Sequence, residues 1–436
     1  MPEYQTLNSG TRLVVESAHT VPLVSMVIAL RTGPAHDPPG RLGLARIALR
    51  MLRRGTTKLT SREIDERIDM LGAELAVDTS SSSIAMHAQV ISRNFGAFIE
   101  LLTELLSDPK VDIDELERLK RETLAEITES LDSDRSLAQR AFSRGFFADH
   151  PYGRPGNGTL ATVGRITEDD VKAYYASHLV HGNVVIGLSG DVTSAQSLGA
   201  AASLSGALRI GKPLVDSVRA PRMPEGRTIW FADKPERTQS QLVVGTLGTS
   251  AHDPDHHALI VSNAIFGGTF TSRLMREVRS KRGWSYGAGS RLSLERARHA
   301  FAISTAPGTK DTGPCLALMI KLYEGWVEKG VTPRETTFIQ RYLVRSHAFD
   351  EDTAAKRLHL AVDTELLGLP HEYYRNYKSS ISAVTPEAAS DAVKKRLSTE
   401  HLVIAISGTA SDTLDAVTKA VPDLAGAHVL PYAELG

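Results

Sequence analysis

Two histidines four residues apart, His252 and His256, have the spacing with which one helix face grips a metal ion. Asp253 and Pro254 stand between them, and the residue before a proline is pushed out of the helical region, so the pair reads as part of a polar loop. His150 precedes a Pro-Tyr turn, and His178 and His181 flank the turn before Val184. None has a partner of metal-binding type at a suitable spacing, and each reads as a capping or hydrogen-bonded structural residue. The single cysteine, Cys315, can close no internal disulfide and suits a small buried apolar position, which leaves any metal site to His and carboxylates. Arg282 and Tyr286 lie four apart in the loop KRGWSYG and, taken alone, read as a stacked surface pair.

The scaffold for these residues is written twice. Ala-His-Asp-Pro occurs at 35–38 and again at 251–254, an offset of 251 − 35 = 216. The stretch ITEDDVKAYYASHLVHGNVVIGLSGDV from Ile166 is echoed by VTPEAASDAVKKRLSTEHLVIAISGTA from Val384, and Ser189 against Ser407 gives 407 − 189 = 218. Both offsets are half of the 436-residue length, so a whole domain is duplicated rather than a short repeat. The Pro- and Gly-rich stretch 212–226 reads as a linker between an N-terminal domain, 1–211, and a C-terminal domain, 227–436.

Within the first half, PLVSMVIAL (22–30) is apolar and β-branched, as a buried strand requires. Thr60, three residues before Glu63, opens a capped helix with Ile64, Ile68 and Leu71 on one face and Gly72 at its end. AELAVD and SIAMHAQV alternate as two strands, NFGAFIELLTELLS returns to helical spacing, and the second half repeats the order. The expected fold is α+β: two similar domains of about 210 residues, each a largely antiparallel sheet with helices packed on one face.

Bulk properties narrow the function. Lys plus Arg number 50 against 51 Asp plus Glu, so no basic excess points to nucleic acid. No uncharged apolar run is long enough to span a bilayer, and MPEYQTLNSGTRLVVESAHT lacks the pattern of a signal peptide. A cytoplasmic protein is expected, or a periplasmic one if a signal peptide has been removed.

HPYGRPGNGT at 150–159 with the stretch that follows, and IFGGTFTSRLMREVRSKRGWSYGAGS at 265–290, resemble the pitrilysin/insulinase-type zinc peptidases, in particular two-domain subunits similar to mitochondrial processing peptidase and its bacterial relatives. The resemblance implies a half-clamshell chain. It also implies an inverted zinc motif, His-x-x-Glu-His, on the first helix of the first domain, with a further Glu as third ligand.

The matching segment is GLARIALRMLRRGT, Gly43 to Thr56. Arg46 and Arg50 stand where the two His belong, Leu49 where the Glu belongs, and Glu126 at the third-ligand position. A guanidinium stays protonated and offers no lone pair to a metal. No metal is therefore expected in this chain, and Glu126 is expected to pair with Arg46 or Arg50.

By the same resemblance, Arg282 and Tyr286 bind substrate and Tyr286 supports catalysis, with Gly267 and Gly268 either contacting substrate or only ending a helix or permitting close packing. An Arg donates to peptide carbonyls, and a Tyr hydroxyl donates to an oxyanion. The chain is expected to be the non-catalytic subunit of a heterodimer. Zinc lies on a homologous zinc-binding partner, and the substrate is a peptide or unfolded polypeptide. The alternatives are an assembly scaffold of the same fold and a self-paired peptide-binding protein without catalysis.

Overall fold

The computed structural model describes residues 1–436 and divides into two compact units. In the first, strands β1 (Glu3–Thr6), β2 (Arg12–Ser17), β3 (Leu23–Leu30), β4 (Glu74–Thr79), β5 (Ile84–Ile91) and β6 (Val184–Gly190) form one sheet in the order β1-β2-β6-β3-β5-β4. In the second, β7 (Arg227–Asp233), β8 (Gln241–Leu247), β9 (Ala288–Leu292), β10 (Ala300–Thr305), β11 (Leu402–Gly408) and β12 (Leu424–Pro431) form another, β12-β7-β11-β8-β10-β9.

The two echoed Ser-Gly strands occupy equivalent places. β6 lies between parallel β2 and antiparallel β3, and β11 between parallel β7 and antiparallel β8. Both are buried along their whole length, as their unbroken apolar runs require. The capped helices that precede them begin at Thr167 and Thr385, whose hydroxyls accept from Asp170 N and Ala388 N. The sheets are largely antiparallel, as expected, with parallel pairings at β2–β6, β7–β11 and β7–β12, and they differ at one edge: β1 runs antiparallel to β2, whereas β12 runs parallel to β7.

Side-chain alternation sorts each strand between two faces. In β3, Val24, Met26, Ile28 and Leu30 join the main helical core, while Val27 and Ala29 face the other way. That second face is covered as well, which the one-face expectation did not include. Helix Ala354–Leu367 packs Leu358, Ala361, Val362 and Leu366 onto it. Gly187 of β6 makes room for this helix, since a Cβ there would lie 2.8 Å from Val362 Cγ2. The helix is pinned by Arg357, which donates to both oxygens of buried Glu16 at 2.9 and 3.1 Å, and by Glu365, which accepts from Arg12 at 2.7 Å.

The second sheet is covered in the same manner by helix Asp134–Phe147, whose Phe142 ring would lie 2.6 Å from a Cβ at Gly245. Each half of the chain thus donates one helix to the other half's sheet. A single cut within 212–226 does not separate the units: the first takes 348–375 from the later half, and the second takes 128–153 from the earlier. No helix is long and apolar enough to cross a membrane.

Candidate functional site

In the first unit, helix Leu44–Met51 starts from Gly43, which has a left-handed φ of 93°. Asp37 holds that start, its carboxylate accepting from Gly43 N at 2.8 Å and Ala45 N at 3.0 Å. These are two of the N–H groups that a helix leaves without internal partners. Burial pushes the Asp37 carboxyl up to about 7, against those two hydrogen bonds and the charge of Arg154. Leu44, Ala45, Ile47, Ala48, Leu49 and Met51 are buried, so the helix is fixed along its apolar side.

Its polar side brings together three residues singled out in the sequence. Arg46 Nη1 donates to Glu126 Oε2 at 2.8 Å, and Arg50 Nη1 to Glu126 Oε1 at 3.0 Å. Glu126 is carried by helix Ile113–Ser130, which also presents Glu122, four residues back, to Arg54 at 2.5 Å. Leu49, by contrast, is buried in the core. Burial first, and then the neighbouring Arg46 charge, pull the Arg50 pKa below its ordinary value, against the opposing Glu126. Zinc does not fit this arrangement: two cations occupy the positions where lone pairs are needed. No group of three or more His, Cys, Asp or Glu side chains is placed to hold a metal ion anywhere in the chain.

The histidines lie apart from one another. His252 precedes helix His256–Asn263, and His256 is buried, with its pKa pushed down to about 4 chiefly by that burial. His150 Nε2 meets Arg219 O at 2.8 Å, His181 Nε2 meets Ser205 O at 2.9 Å, and His178 stacks on Tyr174 at 4.1 Å. Cys315 is buried, which pushes its thiol up to about 12.

In the second unit, the segment from 264 to 286 contains two π-helical turns, Ala264–Gly268 and Met275–Ser280. Such turns are rare and recur at functional sites. Gly267 is buried, where a Cβ would lie 2.3 Å from Ser290 Oγ, so close packing accounts for it; Gly268 is exposed at the end of the turn. Arg282 Nη1 donates to Glu277 O at 2.9 Å and to its carboxylate at 3.0 Å, while Nη2 and Nε stay uncommitted. Lys281 binds the same carboxylate at 2.7 Å, and its hydrogen bond, more than that of Arg282, holds the Glu277 pKa below the usual range.

Tyr286 is 88 % exposed, with its hydroxyl in solvent. Its ring is held by Arg279, whose guanidinium carbon lies 4.7 Å from the Tyr286 ring centre and 4.8 Å from that of Phe270. Sequence reading passed over Phe270, Glu277 and Arg279. The only signal for Glu277 and Arg279 is the density of charges in MREVRSKRGWSYG, which does not distinguish one arginine from another, and Phe270 lies outside that stretch.

Comparison with known proteins places this geometry. Residues 12–160 match the family described as insulinase (peptidase family M16), and residues 165–343 match the peptidase M16 inactive domain. The non-peptidase homolog YmxG of Helicobacter pylori is 23% identical over 406 residues, covering 92% of this chain and 93% of that one. The uncharacterized zinc protease YmxG of Bacillus subtilis is 22% identical over 401 residues, covering 92% and 97%. A crystal structure of a peptidase M16 inactive domain from Pseudomonas fluorescens superposes with a TM-score of 0.87 at 25% identity, covering 94% of this chain and 98% of that one.

Proposed function

From the premise that the chain belongs to the insulinase (M16) peptidase family and carries an ion-paired arginine helix at the zinc position, we propose that it is the non-catalytic subunit of a heterodimeric zinc metallopeptidase. Zinc and general base reside on a homologous partner subunit, and the substrate is a peptide or unfolded polypeptide. The observation that carries this reading is the state of Tyr286. The residue is 88 % exposed and its ring lies 4.7 Å from the Arg279 guanidinium carbon, so a hydrogen-bond donor stands beside a cation without being used inside the chain. Arg282, with Nη2 and Nε uncommitted, supplies further donors for peptide carbonyls, and exposed Gly268 leaves the approach clear.

The test is the reconstituted complex of this chain with a family member bearing an intact His-x-x-Glu-His. Loss of one oxyanion donor typically costs about 10² to 10³ in kcat, so Tyr286→Phe should slow turnover on that scale. Arg282→Ala should mainly raise KM. Both variants should elute with the partner in sizing chromatography. Two assembled and fully active variants would move the function to an assembly scaffold.

A further inference from the structure

The first unit contains a cavity of about 410 Å³ with two unlike walls. One carries Arg46, Arg50, Arg53 and Arg54, with Ser61 and the Arg53-paired Asp65 also in the lining; the other is apolar, with Val77 and Met86 among its residues. The arginines are not equally neutralised. Arg53 has Asp65 at 2.6 Å, and Arg54 has Glu122 at 2.5 Å and Glu115 at 3.5 Å, with Arg118 also drawn to those two glutamates. Arg46 has only Glu126, which it shares with Arg50, and Arg50 also lies 3.6 Å from Glu122. Counting Arg46, Arg50, Arg53, Arg54 and Arg118 against Asp65, Glu115, Glu122 and Glu126 leaves 5 − 4 = 1 positive charge on a network that reaches the cavity through Arg46, Arg50, Arg53 and Arg54.

Arg46 and Arg50 are held four residues apart on one rigid helix, each side chain about one-fifth exposed. Arg46 engages Glu126 through Nη1 alone, so its Nη2 and Nε remain as donors at the cavity. A guanidinium fork matches the two oxygens of a carboxylate, and a part-buried like-charge pair gains most from a second anion. The opposite wall asks for an apolar group close to that anion. A peptide's last residue places an α-carboxylate one carbon away from its side chain, so a single residue meets both walls. An internal Asp or Glu cannot, because its side chain is itself the anion. The volume is that of a small-ligand site.

We propose that this cavity binds the C-terminal carboxylate of a peptide whose last side chain is apolar. The site belongs to this chain alone and does not rest on the heterodimer reading. Failure here leaves the role of Tyr286 untouched, and failure there leaves this site standing.

The experiment titrates the full chain with two labelled tetrapeptides, Gly-Gly-Ala-Leu with a free C-terminus and the same peptide amidated, read by fluorescence anisotropy. The free form should bind, and amidation should weaken it at least about tenfold, as loss of a charged hydrogen-bond partner does. Arg46→Gln and Arg50→Gln should each weaken the free peptide by about tenfold. Glu126→Gln, which releases both guanidiniums, should tighten it severalfold, a result that a purely structural ion triad does not give. Circular dichroism checks that each variant is folded; should an arginine variant unfold, the amide comparison and Glu126→Gln still decide. Equal binding of the two peptides, weaker binding by folded Glu126→Gln, or equally tight binding of succinate or octanoate would overturn the assignment.

Discussion

Ala-His-Asp-Pro precedes an eight-residue helix in each half of the chain, yet its aspartate serves different ends in the two. In the first unit the Asp37 carboxylate accepts from the helix start, Gly43 N and Ala45 N, and the residue is almost wholly buried. In the second, Asp253 accepts from the Thr249 hydroxyl at 2.8 Å and Ser250 N at 2.9 Å, and pairs with Arg396 at 2.9 Å. The helices that follow diverge likewise. Leu44–Met51 presents two cations to a cavity, whereas His256–Asn263 buries His256 and runs on into the π-turn Ala264–Gly268. Duplication kept the turn and the sheet order; the charges around them were free to change, and both candidate sites arise from that change.

The largest effect that sharpens this comparison comes from the exchanged helices. All three tryptophans, Trp230, Trp284 and Trp326, lie in the second unit, so tryptophan fluorescence reports its unfolding selectively. Phe142→Ala truncates a ring that is 1% exposed, and should cost about 3 to 5 kcal/mol. Although Phe142 belongs to the first half of the sequence, the fluorescence-detected urea midpoint should fall, and by more than for Leu358→Ala, whose side chain packs in the first unit. An unchanged fluorescence midpoint for Phe142→Ala would show that helix Asp134–Phe147 does not stabilise the second sheet.

This exchange marks where sequence reading ran out. The duplication, the Thr60 capping box and the strands β3, β4, β5, β6, β8 and β11 follow from periodicity and local chemistry, because each is specified within a few residues. Helix Asp134–Phe147 has no local mark of the sheet it covers, since Ala138, Ala141 and Phe142 would suit either one. β2 and β7 were passed over for a related reason: each is fixed by a parallel neighbour about 170 residues away in sequence, Arg12 opposite Val185 and Arg227 opposite Leu402. At the candidate sites, Arg46, Arg50 and Glu126 were legible because the motif itself sets their register. The clamp of Arg279 on Tyr286 was not, because it depends on a π-turn that no short pattern announces.

A second effect separates the two aspartates by pH. The Asp37 carboxyl is raised from the ordinary 3.8 to about 7, so between those values the folded chain holds a proton that the unfolded chain has lost. Its contribution is fully present below about pH 4 and is lost as pH rises towards 7, an effect of about 2 to 4 kcal/mol from this group alone. Asp253 moves the opposite way: burial raises it, but the Ser250 and Thr249 hydrogen bonds and the Arg396 charge outweigh burial and hold it below 3.8. Its contribution is present above that value and is lost as pH falls through the lowered pKa. Asp37→Asn should therefore flatten the decline in stability from pH 4 to 7, and Asp253→Asn should soften only the acid limb. Urea midpoints across pH 3 to 8 measure both, and identical profiles for the two variants would erase the distinction.

The smallest effect weighs the two carboxylates that hold the sites together. Glu126 balances Arg46 and Arg50, whose side chains are 19% and 21% exposed; Glu277 balances Lys281 and Arg282, at 58% and 34%. Glu126 is itself 37% exposed, so solvent screening reduces the cost of Glu126→Gln well below that of breaking a buried pair, to about 1 kcal/mol. Glu277→Gln should cost less, about 0.5 kcal/mol or below, because the cations it releases can turn to water. The decisive reading is taken with ligand present. A free-carboxylate peptide that binds the folded chain stabilises it more the further its concentration exceeds its Kd, so it should raise the urea midpoints of both variants, and that of Glu126→Gln by more, because only there are the cavity arginines released to bind it tighter. A peptide that raised both midpoints equally would place its binding outside the arginine cavity.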